Sequence, residues 1–130
     1  MSERWIYRVQ DEFGRGPWRP GFSSSWVSNS DHALPPSVFE EFPSFHTIVS
    51  AAHAAGGHVG CGTRGATGIA KWFLPEEIER LKAKGFYLVR CHAVTVLAES
   101  ENQVLFASRK PLHALPRVNW PSISSERIAA

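Results

Sequence analysis

The sequence predicts an α+β fold: one compact domain built on a small mixed or antiparallel sheet. Three observations carry that expectation. Strand-like runs of aromatic and β-branched residues stand near the start and in the last third of the chain. Helix-periodic stretches lie between them. Their order (strand, long loop, helix, strand, two helices, then strands) is that of an α+β protein. A length of 130 residues suits one domain and a core that needs neither metal nor disulfide.

Composition narrows the classes. An apolar content of 43% with a net charge of only +2 excludes intrinsic disorder. The longest stretch without charge or proline, residues 44–63, carries three histidines and four glycines, so no transmembrane helix is expected. The run Met1-Ser2-Glu3-Arg4-Trp5 lacks the apolar region of a secretory signal. A cytoplasmic location with two reduced thiols, Cys61 and Cys91, is therefore expected.

Arg4–Val9 alternates aromatic and β-branched residues with polar ones and is predicted as the first strand. Proline and glycine occupy five positions from Gly14 to Gly21, which predicts a long loop running on to Asp31. Trp18, Phe22 and Trp26 give that loop apolar anchors, so it is expected to be ordered and to cover a cleft. A turn of helix is predicted within Ser37–Phe42. A longer helix follows Ser44, with Phe45, Ile48, Val49, Ala52 and Ala55 on one face and Gly56-Gly57 as its stop.

The glycine-rich run His58–Thr63 reads as a short buried strand that another element approaches closely. Helical spacing resumes at Ala66, Ile69, Ala70 and Phe73. Pro75–Lys84 carries the clearest helix signals: proline in the first turn, Glu76 and Glu77 at the positive end, lysines at the other, and Gly85 as the stop. Phe86–Val94 is predicted as one strand and Gln103–Ala107 as another, joined by a polar turn at Glu99–Asn102. Residues 1–110 are expected to form the domain. Residues 111–130, with three prolines and a serine-rich stretch, are expected to wrap the surface and fray.

Four constellations compete for function. His58, Cys61, Cys91 and His92 have metal-ligand chemistry, but neighbours on a strand face opposite ways and the spacing fits no zinc pattern, so no metal is expected. Cys61 before a helix has the setting of a nucleophile, with the bland alternative of a small core residue. Arg4, Arg8, Arg15 and Arg19 interleave with Trp5, Trp18 and Trp26, a mixture suited to phosphates and bases. The pI near 8.7 stays below the value of about 9 typical of a nucleic-acid-binding domain, so that reading is not favoured.

The fourth constellation is an ordered set. Arg8 lies on the first strand, Thr63 ends the glycine-rich strand before a helix closing at Trp72-Phe73, and Glu101-Asn102-Gln103 opens an apolar late strand. This layout resembles the ADP-ribosyltransferase superfamily over roughly residues 5 to 108. The resemblance implies a sheet split into two halves around a cleft that binds NAD or a related nucleotide. It implies Arg8 on the NAD phosphates, Thr63 beside the nicotinamide ribose and Trp72 or Phe73 as an aromatic wall. It further implies Glu101 and Gln103 facing the reacting carbon. The family's second glutamate, which binds a ribose hydroxyl and stabilises the oxocarbenium-like transition state, is matched here by Gln103. A glutamine bonds a hydroxyl but supplies neither charge nor base, a loss of about 10²–10⁴ in rate. The chain is thus expected to be an active transferase or its inactive relative. The alternative is a non-enzymatic module that docks on a protein through the loop 13–26, with Arg15, Trp18, Arg19 and Trp26 as anchors.

Overall fold

Ile6 and Tyr7 pair on both sides, and that makes Ile6–Gln10, strand β1, central to the molecule. The computed structural model describes residues 5–18, 22, 25–27, 38–92 and 94–120. Helices α1 (Val38–Glu41) and α2 (Phe45–Ala54) lead to β2 (His58–Arg64). Helices α3 (Gly65–Trp72) and α4 (Pro75–Ala83) then lead to β3 (Tyr87–Cys91). Strands β4 (Thr95–Glu99) and β5 (Val104–Ser108), a 3-10 turn (Leu112–Ala114) and β6 (Arg117–Val118) complete the described elements. The six strands run β4-β5-β2-β1-β3-β6, and every pairing is antiparallel. The α+β expectation stands in that form.

Two of the expected boundaries need correction. The strand predicted over Phe86–Val94 ends at Cys91, and Thr95–Glu99 is a strand of its own at the sheet edge. Part of the segment after Pro111 is built into the core and the sheet. Leu115 is buried, and Arg117–Val118 pairs with β3. Residues 121–130 lie outside the described residues.

β1 and β2 share only the pairs Ile6↔Arg64 and Tyr7↔Thr63, whereas β1–β3 and β2–β5 each hold five. Beyond Tyr7 the strands β1 and β2 part. Glycine explains how close they come before that. A side chain at Gly62 would put its Cβ 2.5 Å from the Tyr7 carbonyl oxygen and 2.7 Å from Ile6. At Gly68 it would meet Thr63 at 2.5 Å, so glycine also lets α3 lie down on β2. Gly62→Ala is expected to cost about 1–3 kcal/mol or more, because a backbone oxygen cannot swing aside as a side chain can. A urea midpoint equal to wild type would refute that close approach.

Strand alternation separates two cores. Val9 and Leu88 face one side, under α3, α4 and the loop aromatics, with Trp26, Phe73 and Leu81. Ile6, Val89 and Cys91 face the other, with Phe106 and Leu115. Glu77, fully buried at the start of α4, folds back to accept the Leu74 N–H at 2.9 Å; Leu74 has no oxygen to reciprocate, so half of a capping box is present. Among the described residues no helix is long and apolar enough to cross a membrane.

Candidate functional site

The place where β1 and β2 part is filled by Arg8. Its Nη1 donates to the Cys61 carbonyl at 3.0 Å, its Nη2 to the Gly14 carbonyl at 2.8 Å, and its Nε to Gln10 Oε1 at 3.0 Å. Gln10, fully buried, passes the network on by donating to the Leu112 carbonyl at 2.7 Å. The guanidinium thus replaces the missing strand-to-strand hydrogen bonds. None of its partners is a carboxylate. Burial lowers its pKa from the ordinary value, yet an arginine stays charged. Three acceptors use one N–H from each nitrogen, which leaves one on each terminal nitrogen for an anion.

Asp11 aims the Gly14 carbonyl. Its Oδ1 accepts the N–H groups of Phe13 and Arg15 at 3.0 and 2.9 Å, and its Oδ2 accepts Arg15 Nε at 2.9 Å. The turn closes with Gly14 at φ +81°, the left-handed region that glycine enters freely. Burial works against ionisation of Asp11, but the Arg15 and Phe13 backbone bonds and the Arg15 side chain outweigh it, so the carboxyl lies below its usual range. A depressed pKa means stability that is complete above the unfolded value of about 3.9 and is lost as pH falls through the folded one. Asp11→Asn is therefore expected to flatten the acid limb of stability against pH. An unchanged limb, followed by urea midpoints between pH 5 and 2, would contradict this.

A second polar centre gathers at the β4–β5 turn. Glu41 Oε1 accepts Gln103 Nε2 at 2.7 Å and Ser100 Oγ at 2.9 Å, while Oε2 accepts Asn102 Nδ2 at 3.1 Å. Ser100 Oγ in turn accepts the N–H groups of Asn102 and Gln103 at 3.0 and 3.1 Å. From α3, Lys71 Nζ donates to Asn102 Oδ1 at 3.2 Å and the Trp72 indole to the Asn102 carbonyl at 3.4 Å. Desolvation opposes the charge on Glu41, but the bonds from Gln103, Asn102 and Ser100 and the nearby Lys71 overcome it, and its pKa is lowered.

The predicted site residues fall as follows. Gln103 and Trp72 join the same network. Glu101 is exposed beside it. Thr63 pairs with Tyr7 and so faces away from Arg8. It is buried under Gly68 with its hydroxyl donating to the Gly65 carbonyl at 3.4 Å. Thr63 and Arg8 therefore do not share a face. Phe73 is a core residue rather than a wall, packed 5.9 Å from Trp18 and 5.6 Å from Trp26 between ring centroids.

Trp26 is 0% exposed and Trp18 half-buried, so the loop tryptophans are core anchors rather than a docking surface. Arg15 is exposed, and Arg19 lies outside the described residues. Burial pushes the Cys61 thiol up and the Cys91 thiol up to about 11, against the pull of Arg8, so neither is primed as a nucleophile. No group of three or more His, Cys, Asp or Glu capable of holding a metal stands among the described residues.

Sequence reasoning missed Glu41, Ser100, Lys71 and Gln10. Glu41 sits in a single turn of helix with no periodic signal, and its partners lie about sixty positions downstream. A family model described as "Bacteriophage T4 Y00F protein" matches residues 1–114. No curated protein and no solved structure matches the chain.

Proposed function

The chain belongs to the bacteriophage T4 Y00F protein family, and for this member we propose an ADP-ribosyltransferase-like role: binding NAD, or a related nucleotide, where β1 and β2 part. The observation that carries the reading is Arg8, a half-buried guanidinium whose partners are two carbonyls and an amide but no carboxylate. A charge so placed favours an anion, and a diphosphate fits the two N–H groups that remain. The split between β1 and β2, and Gln103 just ahead of β5, agree with what the superfamily resemblance implies. The buried Thr63 does not, so this reading gives it no part in binding. When bound, NAD brings a nicotinamide held to ribose by a reactive N-glycosidic bond. This chain's residues hold the phosphate at Arg8.

Calorimetry with NAD, together with nicotinamide release at high protein concentration, tests the reading. Saturable binding is expected. Absence of both heat and nicotinamide would overturn it.

One observation favours a second reading, a protein-docking module. Phe13 is 66% exposed at the tip of the Asp11–Arg15 turn, with the Arg15 guanidinium 5.0 Å from its ring centroid. An aromatic and an arginine side by side are the residue types that dominate interfaces. The docking surface is then narrower than the loop 13–26.

A further inference from the structure

Charge is spread unevenly along this chain. Between Glu101 and Glu126 the sequence holds Arg109, Lys110 and Arg117 and no acid. The fold sets that stretch against the turn that follows β1. A Cβ at Gly14 would lie 3.1 Å from the His113 nitrogen and from Leu112 Cβ, and Gln10 donates to the Leu112 carbonyl at 2.7 Å. Arg109 and Lys110 leave the end of β5 just before this contact, where the Lys110 N–H donates to Ser108 Oγ at 3.1 Å. Arg117 follows it, with its guanidinium 3.6 Å from the centroid of the Tyr87 ring, and Tyr87 pairs with Gln10. Arg15, Arg109, Lys110, His113 and Arg117 are all exposed. Among the described residues no carboxylate pairs with Arg109, Lys110 or Arg117. Of the turn's two acids, Asp11 is held by the turn itself, and Glu12 is exposed beside Phe13. A small total charge thus hides a local cationic surface.

Phe13 gives that surface an aromatic ring. It is 66% exposed, with the Arg15 guanidinium 5.0 Å from its centroid, and the hydrogen bonds of the turn fix the backbone beneath it. We propose that Phe13 and Arg15, with the segment from Arg109 to Arg117, bind single-stranded nucleic acid. Cations spread along a segment track a phosphate backbone, and an open ring beside them takes an unpaired base of any sequence. A duplex keeps its base faces stacked away from such a ring. An acidic protein segment would meet the cations but offer the ring only carboxylates. The tryptophans whose interleaving with arginine first suggested base stacking are core anchors, and Phe13 takes that part instead. The inference goes beyond the NAD reading and does not draw on Arg8.

The experiment follows fluorescence anisotropy of labelled oligo-dT and oligo-rU with wild type, Phe13→Ala and the exchange Lys110→Glu/Glu101→Lys. Thermal midpoints check folding, and all the altered side chains are exposed. The exchange keeps the formal net charge at +2 but moves a cation from beyond the end of β5 to the turn before its start. Contact with about three or four phosphates should weaken binding about 20–60-fold between roughly 50 and 200 mM salt. Phe13→Ala is expected to lose about tenfold in affinity and to keep the salt dependence of wild type. The exchange should also lose about tenfold, and a duplex of the same length should bind more weakly than the single strand. Binding of either oligonucleotide in this pattern supports the inference, and the tighter of the two identifies DNA or RNA as the source. No binding by wild type overturns it, as does binding unmoved by Phe13→Ala or by the exchange. Poly-glutamate binding as tightly as the oligonucleotides also overturns it, in favour of an acidic protein partner. NAD is absent from every arm, so failure here leaves the NAD reading standing.

Discussion

Trp26→Ala is expected to cost about 3–5 kcal/mol of folding stability, the range for deleting a large buried aromatic. Trp26 has no exposed surface and lies in the core between the loop and helices α3 and α4. Its ring meets Trp18 edge-on at 4.6 Å and lies tilted against Phe73 at 5.6 Å. Its indole N–H donates to the Pro17 carbonyl at 3.1 Å, and its own carbonyl accepts Arg80 Nη1 at 3.1 Å. Alanine removes the ring contacts and the indole donor together. Trp26→Phe keeps most of the volume and loses chiefly the indole hydrogen bond, so it is expected to cost less, about 1–3 kcal/mol. Urea unfolding of the three proteins reads both numbers. A loss below about 1 kcal/mol for the alanine variant would mean that the loop is not held by this ring.

Arg8→Met is expected to damage two properties at once. Methionine has a similar reach but no donor, so the Cys61 and Gly14 carbonyls and the Gln10 amide oxygen each lose a partner. A buried acceptor left unpaired costs about 1–3 kcal/mol, and with partial relaxation a total near 3 kcal/mol is expected. NAD affinity should fall at least about tenfold, since the charge that would meet the phosphates is gone. Arg8→Lys separates the two effects. It keeps the charge but cannot reach three acceptors with one ammonium. Lysine should therefore recover part of the affinity while remaining destabilised. If Arg8→Met left stability unchanged, the bridging role assigned to the guanidinium would be wrong.

Locally encoded features could be read from the sequence. The signals of α4 lie within a dozen residues: Pro75, the paired glutamates, the lysines and Gly85, whose φ is +88°. The glycine run at β2 announced a close approach, and Gly62 shows that the close neighbour is β1. Features that depend on distant partners were not legible. β4 follows β3 without a Gly or Pro turn signal, so the predicted strand ran on to Val94 and Thr95–Glu99 went unassigned. β6 is two residues long, and only pairing with β3 makes it a strand.

The site divides in the same way. Arg8 and Gln103 stood out by residue type and order. Thr63 also had the right type, but register with Tyr7 turned it away from Arg8. Glu41 had no pattern at all. Its role comes from Ser100, Asn102 and Gln103 folding back over α1.

Pairing β1 between two distant strands also has a kinetic consequence. Its partners are Thr63 and Arg64 on one side and Tyr87–Cys91 on the other. Such non-local closure places the protein among slow folders, on a scale of milliseconds to seconds. During synthesis the wait is longer. At about 5–20 residues per second, β1 is made roughly 4–16 s before β3. Throughout that interval Ile6, Tyr7 and Val9 form an apolar segment whose β3 edge is open, a template for self-association. Nascent-chain quality is thus set by how fast the ribosome reaches Cys91, and slowing translation between Arg64 and Tyr87 should raise the aggregated fraction.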